Sequence, residues 1–219
     1  MKEFIDEVLF NGAQKANVSL TTKQINLFKT YLTEIRKWSA KINITTIRND
    51  LEILIKHFVD SLFPLEYIPQ DASVLDVGSG GGFPGIPLKI ASPSLYLTLL
   101  DSTQKKVNFQ KHIIRLLRLY NIEAVHGRAE DKDIHRRIAS PFDVVISRAF
   151  SGLGRFLSTG KPYLKREGLL IAMRGRYGKR QLADDAEVLV RLRLRLVNAV
   201  EFSLPYLNDR RTLLIFTKQ

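Results

Sequence analysis

A chain of 219 residues, 45% of them hydrophobic, is long enough to bury one sizeable core and too apolar to stay disordered. It contains no cysteine, which excludes disulfides, thiolate-bound zinc, iron–sulfur clusters and covalent catalysis through a thiol. Its formal net charge of +12, nearly all of it beyond residue 70, favours a polyanionic partner.

The first seven residues include Glu3, Asp6 and Glu7, and no apolar run approaches the roughly 18 residues of a membrane span. The expectation is a soluble, cytoplasmic protein with no membrane partner. Residues 1–70 read as a helical N-terminal cap. Phe4, Ile5, Val8 and Leu9 share one face, and Ile25, Phe28, Leu32 and Ile35 follow helical spacing behind a Thr21/Gln24 capping box. Leu51, Leu54, Ile55, Phe58 and Leu62 form a third stretch, punctuated by Pro64 and Pro69.

From residue 71 short apolar runs alternate with helical segments. Strands are predicted at 72–77, 95–100, 122–126, 142–147, 168–173, 195–202 and 212–217, with helices near 85–91, 104–119, 153–161 and 178–190. Such alternation implies an α/β domain over 71–219 with parallel strands covered by helices. The link Leu204-Pro-Tyr-Leu-Asn-Asp-Arg210 is too short for a helical crossover, so the last two strands are expected to be antiparallel. Seven strands ending in such a hairpin resemble the class I S-adenosylmethionine-dependent methyltransferase arrangement, a Rossmann-like seven-stranded mixed sheet.

The first strand runs into a glycine-rich turn, Gly78 to Gly85, where backbone can approach a ligand that any Cβ would meet. The glycine spacing, with Asp101 about twenty residues on, also satisfies a dinucleotide fingerprint, so a nicotinamide cofactor stays open here. Asp76 weighs against it. A carboxylate just before the turn repels a pyrophosphate and suits the ammonium and sulfonium of S-adenosylmethionine. Asp101 ends the second strand, where its carboxylate can accept from ribose hydroxyls, and Ser102 or Thr103 can cap the next helix. Ala129 and Glu130 follow the third strand, where this fold meets an adenine amino group.

The chain resembles one family over nearly its whole length. Leu75-Asp-Val-Gly-Ser-Gly-Gly-Gly-Phe-Pro-Gly-Ile-Pro-Leu88, Leu100-Asp-Ser102 with Lys105 and Lys106 behind it, Gly127-Arg-Ala-Glu130 and Ser147-Arg148-Ala149-Phe150 are similar to the RsmG (GidB) ribosomal RNA methyltransferases. So are Asn43-Ile-Thr-Thr-Ile47 and His57-Phe-Val-Asp-Ser-Leu62. The turn departs from other members at Gly81 and Phe83, where they carry proline, alanine or leucine. The resemblance implies methyl transfer from S-adenosyl-L-methionine to N7 of guanine 527 in 16S RNA, on naked RNA or on the small ribosomal subunit. It also implies cofactor contacts at Gly78, Phe83, Ala129, Glu130 and Arg148, to which the residue reading adds Asp76, Gly80, Gly82, Asp101, Ser102 and Thr103.

The chemistry of the residues agrees with that target. Without cysteine there is no covalent route to pyrimidine C5, and Ser147-Arg148-Ala149-Phe150 replaces the Asn/Asp-Pro-Pro-aromatic turn of amino-group methyltransferases. Guanine N7 offers a free lone pair and loses no proton, so alignment suffices. Arg148 is the expected catalytic residue, lining the cofactor pocket beside the target base, with Phe150 available to stack. Arg174, Arg176, Tyr177, Lys179 and Arg180 are the expected RNA contacts, and Lys105, Lys106, Lys111, Arg115 and Arg118 form a second basic face. Duplex RNA hides guanine N7 in a narrow groove, so a loop or splayed nucleotide is the expected substrate. The four histidines show no metal-ligand spacing, and no metal is expected. A nicotinamide oxidoreductase, or an RNA-binding module keeping the cofactor site as a relic, are the alternatives in other classes.

Overall fold

Helix α1 spans Lys2–Lys15 and α2 spans Thr22–Ser39, the latter opened by the predicted capping box: Thr21 Oγ1 accepts from Gln24 N–H and Gln24 Oε1 accepts from Thr21 N–H at 2.8 Å. The computed structural model describes residues 2–138, 141–148 and 150–219; Ala149 of the motif after the fourth strand lies outside them. The third N-terminal helix changes pitch along its length. It starts as α3 (Asp50–Ile53), widens to a π-helical turn over Leu54–Val59 and tightens to a 3-10 segment over Asp60–Tyr67. Pro64 therefore lies inside this helix rather than ending it, and the next turn ends at Ile68 in extended conformation.

The strands are β1 (Ser73–Val77), β2 (Tyr96–Asp101), β3 (Ile122–His126), β4 (Phe142–Arg148), β5 (Leu164–Gly175), β6 (Leu194–Ser203) and β7 (Arg210–Lys218). They form one sheet in the order β3-β2-β1-β4-β5-β7-β6, in which β7 runs antiparallel to both β5 and β6. The predicted terminal hairpin is present, and the order reverses between β1 and β4, the switch point at which open α/β sheets bind ligands. Helices α4 (Gly85–Ala91) and α5 (Gln104–Leu116) follow β1 and β2, and α7 (Leu153–Gly160) follows β4.

One helix is not predicted and one predicted helix needs correction. A helix α6 (Lys132–Arg137) lies before β4 in a stretch whose polar sequence gives no apolar stripe. The span 178–190 holds two helices, α8 (Gly178–Asp184) and α9 (Ala186–Arg191), broken where Asp185 turns out of register to accept from Gly154 N–H at 3.0 Å.

Strand alternation divides the core. Leu75, Val77 and Val145 face α6, α7, α8 and α9, while Val74, Val144, Ile146 and Leu99 face the opposite layer. That layer includes the N-terminal helices: Val8, Leu9, Phe28, Leu32 and Phe58 join one cluster with Phe83, Ile86, Leu99 and Phe109. Burying each such aromatic or aliphatic side chain contributes about 1.5–3 kcal/mol, so the N-terminal helices and the sheet are held by a shared core.

Candidate active site

The glycine turn begins as β1 ends. Gly78, Gly80 and Gly82 have φ of +72°, +57° and +94°, in the left-handed region that L side chains avoid. A Cβ at Gly82 would lie 2.8 Å from the Tyr31 hydroxyl, and one at Gly85 would overlap the Leu99 side chain. Side chains from three elements hold the turn. Tyr31 of α2 donates to the Gly81 carbonyl, Gln110 of α5 donates to Ser79 Oγ at 2.8 Å and to Gly80 O at 2.7 Å, and Asp101 Oδ2 accepts from Gly80 N–H at 2.8 Å. Neither Tyr31 nor Gln110 was legible as a site residue; each occupies a core position of its helix, and only its polar end marks the role.

Beside the turn lies a cleft of about 380 Å3 at the C-terminal ends of β1 to β4. Gly78, Asp101, Ser102, Ala129, Glu130 and Phe150 line it. Glu130 pairs with Arg155 at 2.9 Å across the mouth; partial burial pushes its carboxyl up, but a backbone hydrogen bond, Arg155 and the Arg128 charge together hold it below the usual range. The Ala129 carbonyl is fixed by the Tyr163 hydroxyl at 2.8 Å. The helix-capping expectation for Ser102 and Thr103 fails: Thr103 occupies the N-cap of α5 with no side-chain bond, and Asp101 Oδ1 accepts from Thr103 N–H at 2.8 Å. The Asp101 carboxylate, also held by Gly80 N–H, takes that N–H instead.

Six predicted cofactor residues, Asp76, Gly80, Gly82, Phe83, Thr103 and Arg148, do not line this cleft. Gly80 and Gly82 shape the turn. Phe83 is buried in a stack with Tyr31 at 5.5 Å and His57 at 4.6 Å between ring centroids. Asp76 falls on the cap side of β1 by strand alternation and is fully buried. Its Oδ2 accepts from Gly85 N–H at 2.9 Å, Oδ1 has no hydrogen-bond partner, and burial pushes its carboxyl up to about 7. It braces the turn from beneath.

Arg148 lines a neighbouring cavity instead. At the end of β4 it turns to the cap side, where Nη1 donates to the Lys56 carbonyl at 2.6 Å and Nη2 to His57 Nδ1 at 2.9 Å. Its guanidinium sits 5.0 Å from the Phe83 ring centre and 3.9 Å from Asp60 Oδ2. It is a docking group between cap and sheet, outside the cleft. Arginine has no acceptor, so His57 Nδ1 must be unprotonated and Nε2–H donates to Thr45 Oγ1 at 2.7 Å. Burial and the Arg148 charge lower the His57 pKa to about 3. Asp60, at 4% exposure, is pushed up by burial while Arg148 and Arg211 pull it back.

Of the expected RNA contacts, Arg176, Tyr177, Lys179 and Arg180 are exposed, Arg176 lies over the Tyr177 ring, and Lys179 pairs with Glu201 at 2.6 Å. Arg174 does not belong with them. It is buried, and its guanidinium donates to the carbonyls of Phe150 and Gly152 at 2.8 and 2.9 Å, anchoring the stretch that walls the cleft. On α5, Lys105, Lys111 and Arg115 are exposed and Lys106 is half-buried, and Arg118 is exposed just beyond its end. His112 meets Glu34 at 2.8 Å, His126 meets the Ser102 carbonyl at 3.0 Å and His135 packs on Tyr163. Among the described residues no group of His, Asp or Glu could hold a metal ion, and no helix is long and apolar enough to cross a membrane.

A sequence model of the family described as rRNA small subunit methyltransferase G matches residues 24–211. The chain belongs to this family. The ribosomal RNA small subunit methyltransferase G of Geotalea uraniireducens is 43% identical over 218 residues, covering 100% of this chain and 99% of the relative. That of Geobacter sp. strain M21 is 39% identical, covering 95% of each. The fold is similar to a ribosomal protein L11 methylase from Lactobacillus delbrueckii subsp. bulgaricus, with TM-score 0.57, 15% identity and coverage of 79% of this chain and 81% of that one. It is also similar to M. jannaschii TYW2, solved in complex with AdoMet, with TM-score 0.54, 15% identity and coverage of 69% and 71%. As a member of the methyltransferase G family the chain is an enzyme that methylates small-subunit ribosomal RNA, and the nicotinamide alternative drops out.

Proposed function

We propose that this chain transfers the methyl group of S-adenosylmethionine to N7 of guanine 527 in 16S RNA, with the cofactor held in the cleft beside the glycine turn. The observation that carries the reading is the strand-end set around that cleft: Gly78, Asp101, Ala129 with Glu130, and Phe150. At about 380 Å3 the cleft falls within the roughly 300–1,000 Å3 of small-molecule sites. The residues fit the group. Gly78 leaves its backbone open, since a Cβ there would be strained at φ +72° and would touch the Phe150 ring. Asp101, already oriented by two backbone N–H groups, keeps acceptor lone pairs for a ribose diol, and Ala129 and Glu130 bound the far end for a base.

When bound, S-adenosylmethionine supplies an electrophilic methyl group whose bonding pair leaves with sulfur. The guanine N7 lone pair forms the new bond, and no proton leaves the base. The protein therefore needs to align and desolvate rather than deprotonate. Among the described cleft-lining residues there is no histidine or lysine, which is in keeping with that demand. Arg148 positions the cap against β4; the exposed Arg176, Tyr177, Lys179 and Arg180 supply phosphate and stacking contacts at the same edge of the sheet.

Small subunits from a strain lacking the enzyme, incubated with the protein and labelled donor, test the reading. The expected result is a single labelled 7-methylguanine in 16S RNA, with calorimetric binding of S-adenosylhomocysteine but not NADH. Donor binding with no labelled guanine would favour an RNA-binding module with a relic site.

A further inference from the structure

A second cavity, of about 450 Å3, opens between the cap and the ends of β4, β5 and β7. It adjoins the cofactor cleft at the end of β4: Phe150 and Ser151 line the cleft, while Arg148 and Arg174 line the cavity. Arg174 ties the two together by donating to the Phe150 and Gly152 carbonyls. The two spaces are thus neighbours that share one short segment. A groove lined by Arg176 and Arg210 adjoins the cavity, and Arg211 lines both.

Asp60 lines this arginine-rich cavity from the cap. Its Oδ2 accepts from Arg211 Nε at 3.3 Å, but Oδ1 is buried and has no hydrogen-bond partner. A buried carboxylate oxygen without a donor is costly, and such a group calls for an occupant that brings one. Arg148 and Arg174 direct their guanidinium N–H groups at neutral acceptors, so one carboxylate stands among several fixed cations. An occupant should therefore combine N–H donors on one edge with an acceptor edge or phosphate on another.

We propose that this cavity receives the target guanine and that Asp60 determines its specificity, accepting from the guanine N1–H and N2 amino group. This rests on the reading of the chain as a guanine-N7 methyltransferase. Guanine alone among the four bases presents two adjacent N–H donors to a carboxylate. Adenine offers an acceptor at N1 and nothing at C2. Holding the Watson–Crick edge at Asp60 leaves N7, on the far side of the ring system, free toward the segment shared with the cofactor cleft. Arg176 and Arg210 in the adjoining groove then meet the flanking phosphates.

The test uses full-length protein and an undermethylated small-subunit substrate reconstituted with 16S RNA carrying either guanosine or inosine at the target; inosine lacks only the N2 amino group. Wild-type protein is expected to favour guanosine in kcat/KM by about ten-fold or more, the discrimination expected for a hydrogen bond to a charged group. Asp60→Asn is expected to lower kcat/KM on guanosine and to shrink the guanosine-to-inosine ratio to within about three-fold, with S-adenosylhomocysteine affinity kept within about two-fold. Equal methylation of both substrates by wild type, or an undiminished ratio in a donor-binding Asp60→Asn protein, overturns the role of Asp60 while leaving the N7 reading intact. Should Asp60→Asn fail to bind donor, the wild-type ratio decides alone. No methylation of the guanosine substrate overturns both.

Discussion

Three side chains set the chemistry at the residue scale, each in a different way. Asp101 gives one oxygen to Gly80 and the other to Thr103, so the carboxylate is fixed before any ligand arrives. Asp101→Ala is expected to weaken S-adenosylhomocysteine binding by about ten-fold or more, measured by calorimetry, since hydrogen bonds to a charged group contribute about 1.5–3 kcal/mol each. Arg148 makes two good hydrogen bonds in a buried site, and Arg148→Ala strands Lys56 O and His57 Nδ1. The expected loss is on the order of 3 kcal/mol of folding stability in urea titrations, and Arg148→Lys should not restore it, because an ammonium cannot reach both acceptors with a planar fork. His57 and Asp76 predict opposite pH effects. His57 is lowered from 6.5 to about 3, so its neutral burial contributes stability above pH 6.5 that is lost as pH falls toward 3. Asp76 is raised from 3.8 to about 7, so stability falls as pH rises across that interval. Thermal unfolding should show wild type gaining on His57→Gln from pH 4 to 6.5, and losing ground to Asp76→Asn from pH 4 to 7, at up to about 1.4 kcal/mol per pH unit for each proton.

Elements matter here through what they press against the glycine turn. Helix α2 carries a helical apolar stripe that any sequence reading places inward, yet its Tyr31 also donates to Gly81 and stacks on Phe58 and Phe83. Tyr31→Phe keeps the ring and removes the hydroxyl, leaving a buried carbonyl unpaired. Stability is expected to fall by about 1–2 kcal/mol and S-adenosylhomocysteine affinity to fall with it, whereas an exposed change such as Lys23→Ala should leave both unchanged. Gln24 shows the same economy. Its Oε1 completes the capping box while its Nε2 donates to the Ile90 and Ala91 carbonyls at the end of α4. The capping box was legible because it is local, three residues apart; the second bond crosses 66 residues and leaves no mark on the sequence. The split of α8 from α9 has the same origin, in Asp185 capping a helix thirty-one residues away.

For the whole molecule, charge and layer order decide how a polyanion can approach. A net charge of +12 concentrated beyond the cap implies binding that weakens steeply with salt, by a slope of about 0.7 per neutralised phosphate on single-stranded RNA. Two basic surfaces compete for that role, the exposed face of α5 and the stretch Arg176 to Arg180 after β5. Filter binding at graded salt should separate them. Arg176→Ala with Arg180→Ala is expected to lower the slope by about one to two, and Lys105→Ala with Lys111→Ala by less, because only the first surface adjoins the Arg210 and Arg211 groove.

The sequence by itself determined the strand order's ingredients, the glycine turn, the capping box and the strand-end acids, because each depends on residues near one another in the chain or on a period of two or 3.6. It also carried the family, through motifs spread from Asn43 to Phe150. It did not foretell the buried settings of Asp76, Phe83, Arg148 and Arg174, whose types suggested ligand contact. Which way a strand-end side chain turns depends on the register of the sheet and on what covers each face, and both are settled only when distant segments pack. Tertiary structure alone decided that Arg148 docks the cap, that Arg174 anchors the segment beside both cavities, and that Asp60 stands buried with one oxygen unfilled. Desolvation turned these charged groups into fixed parts of the site, and desolvation is a property of the folded layers rather than of any local stretch of chain.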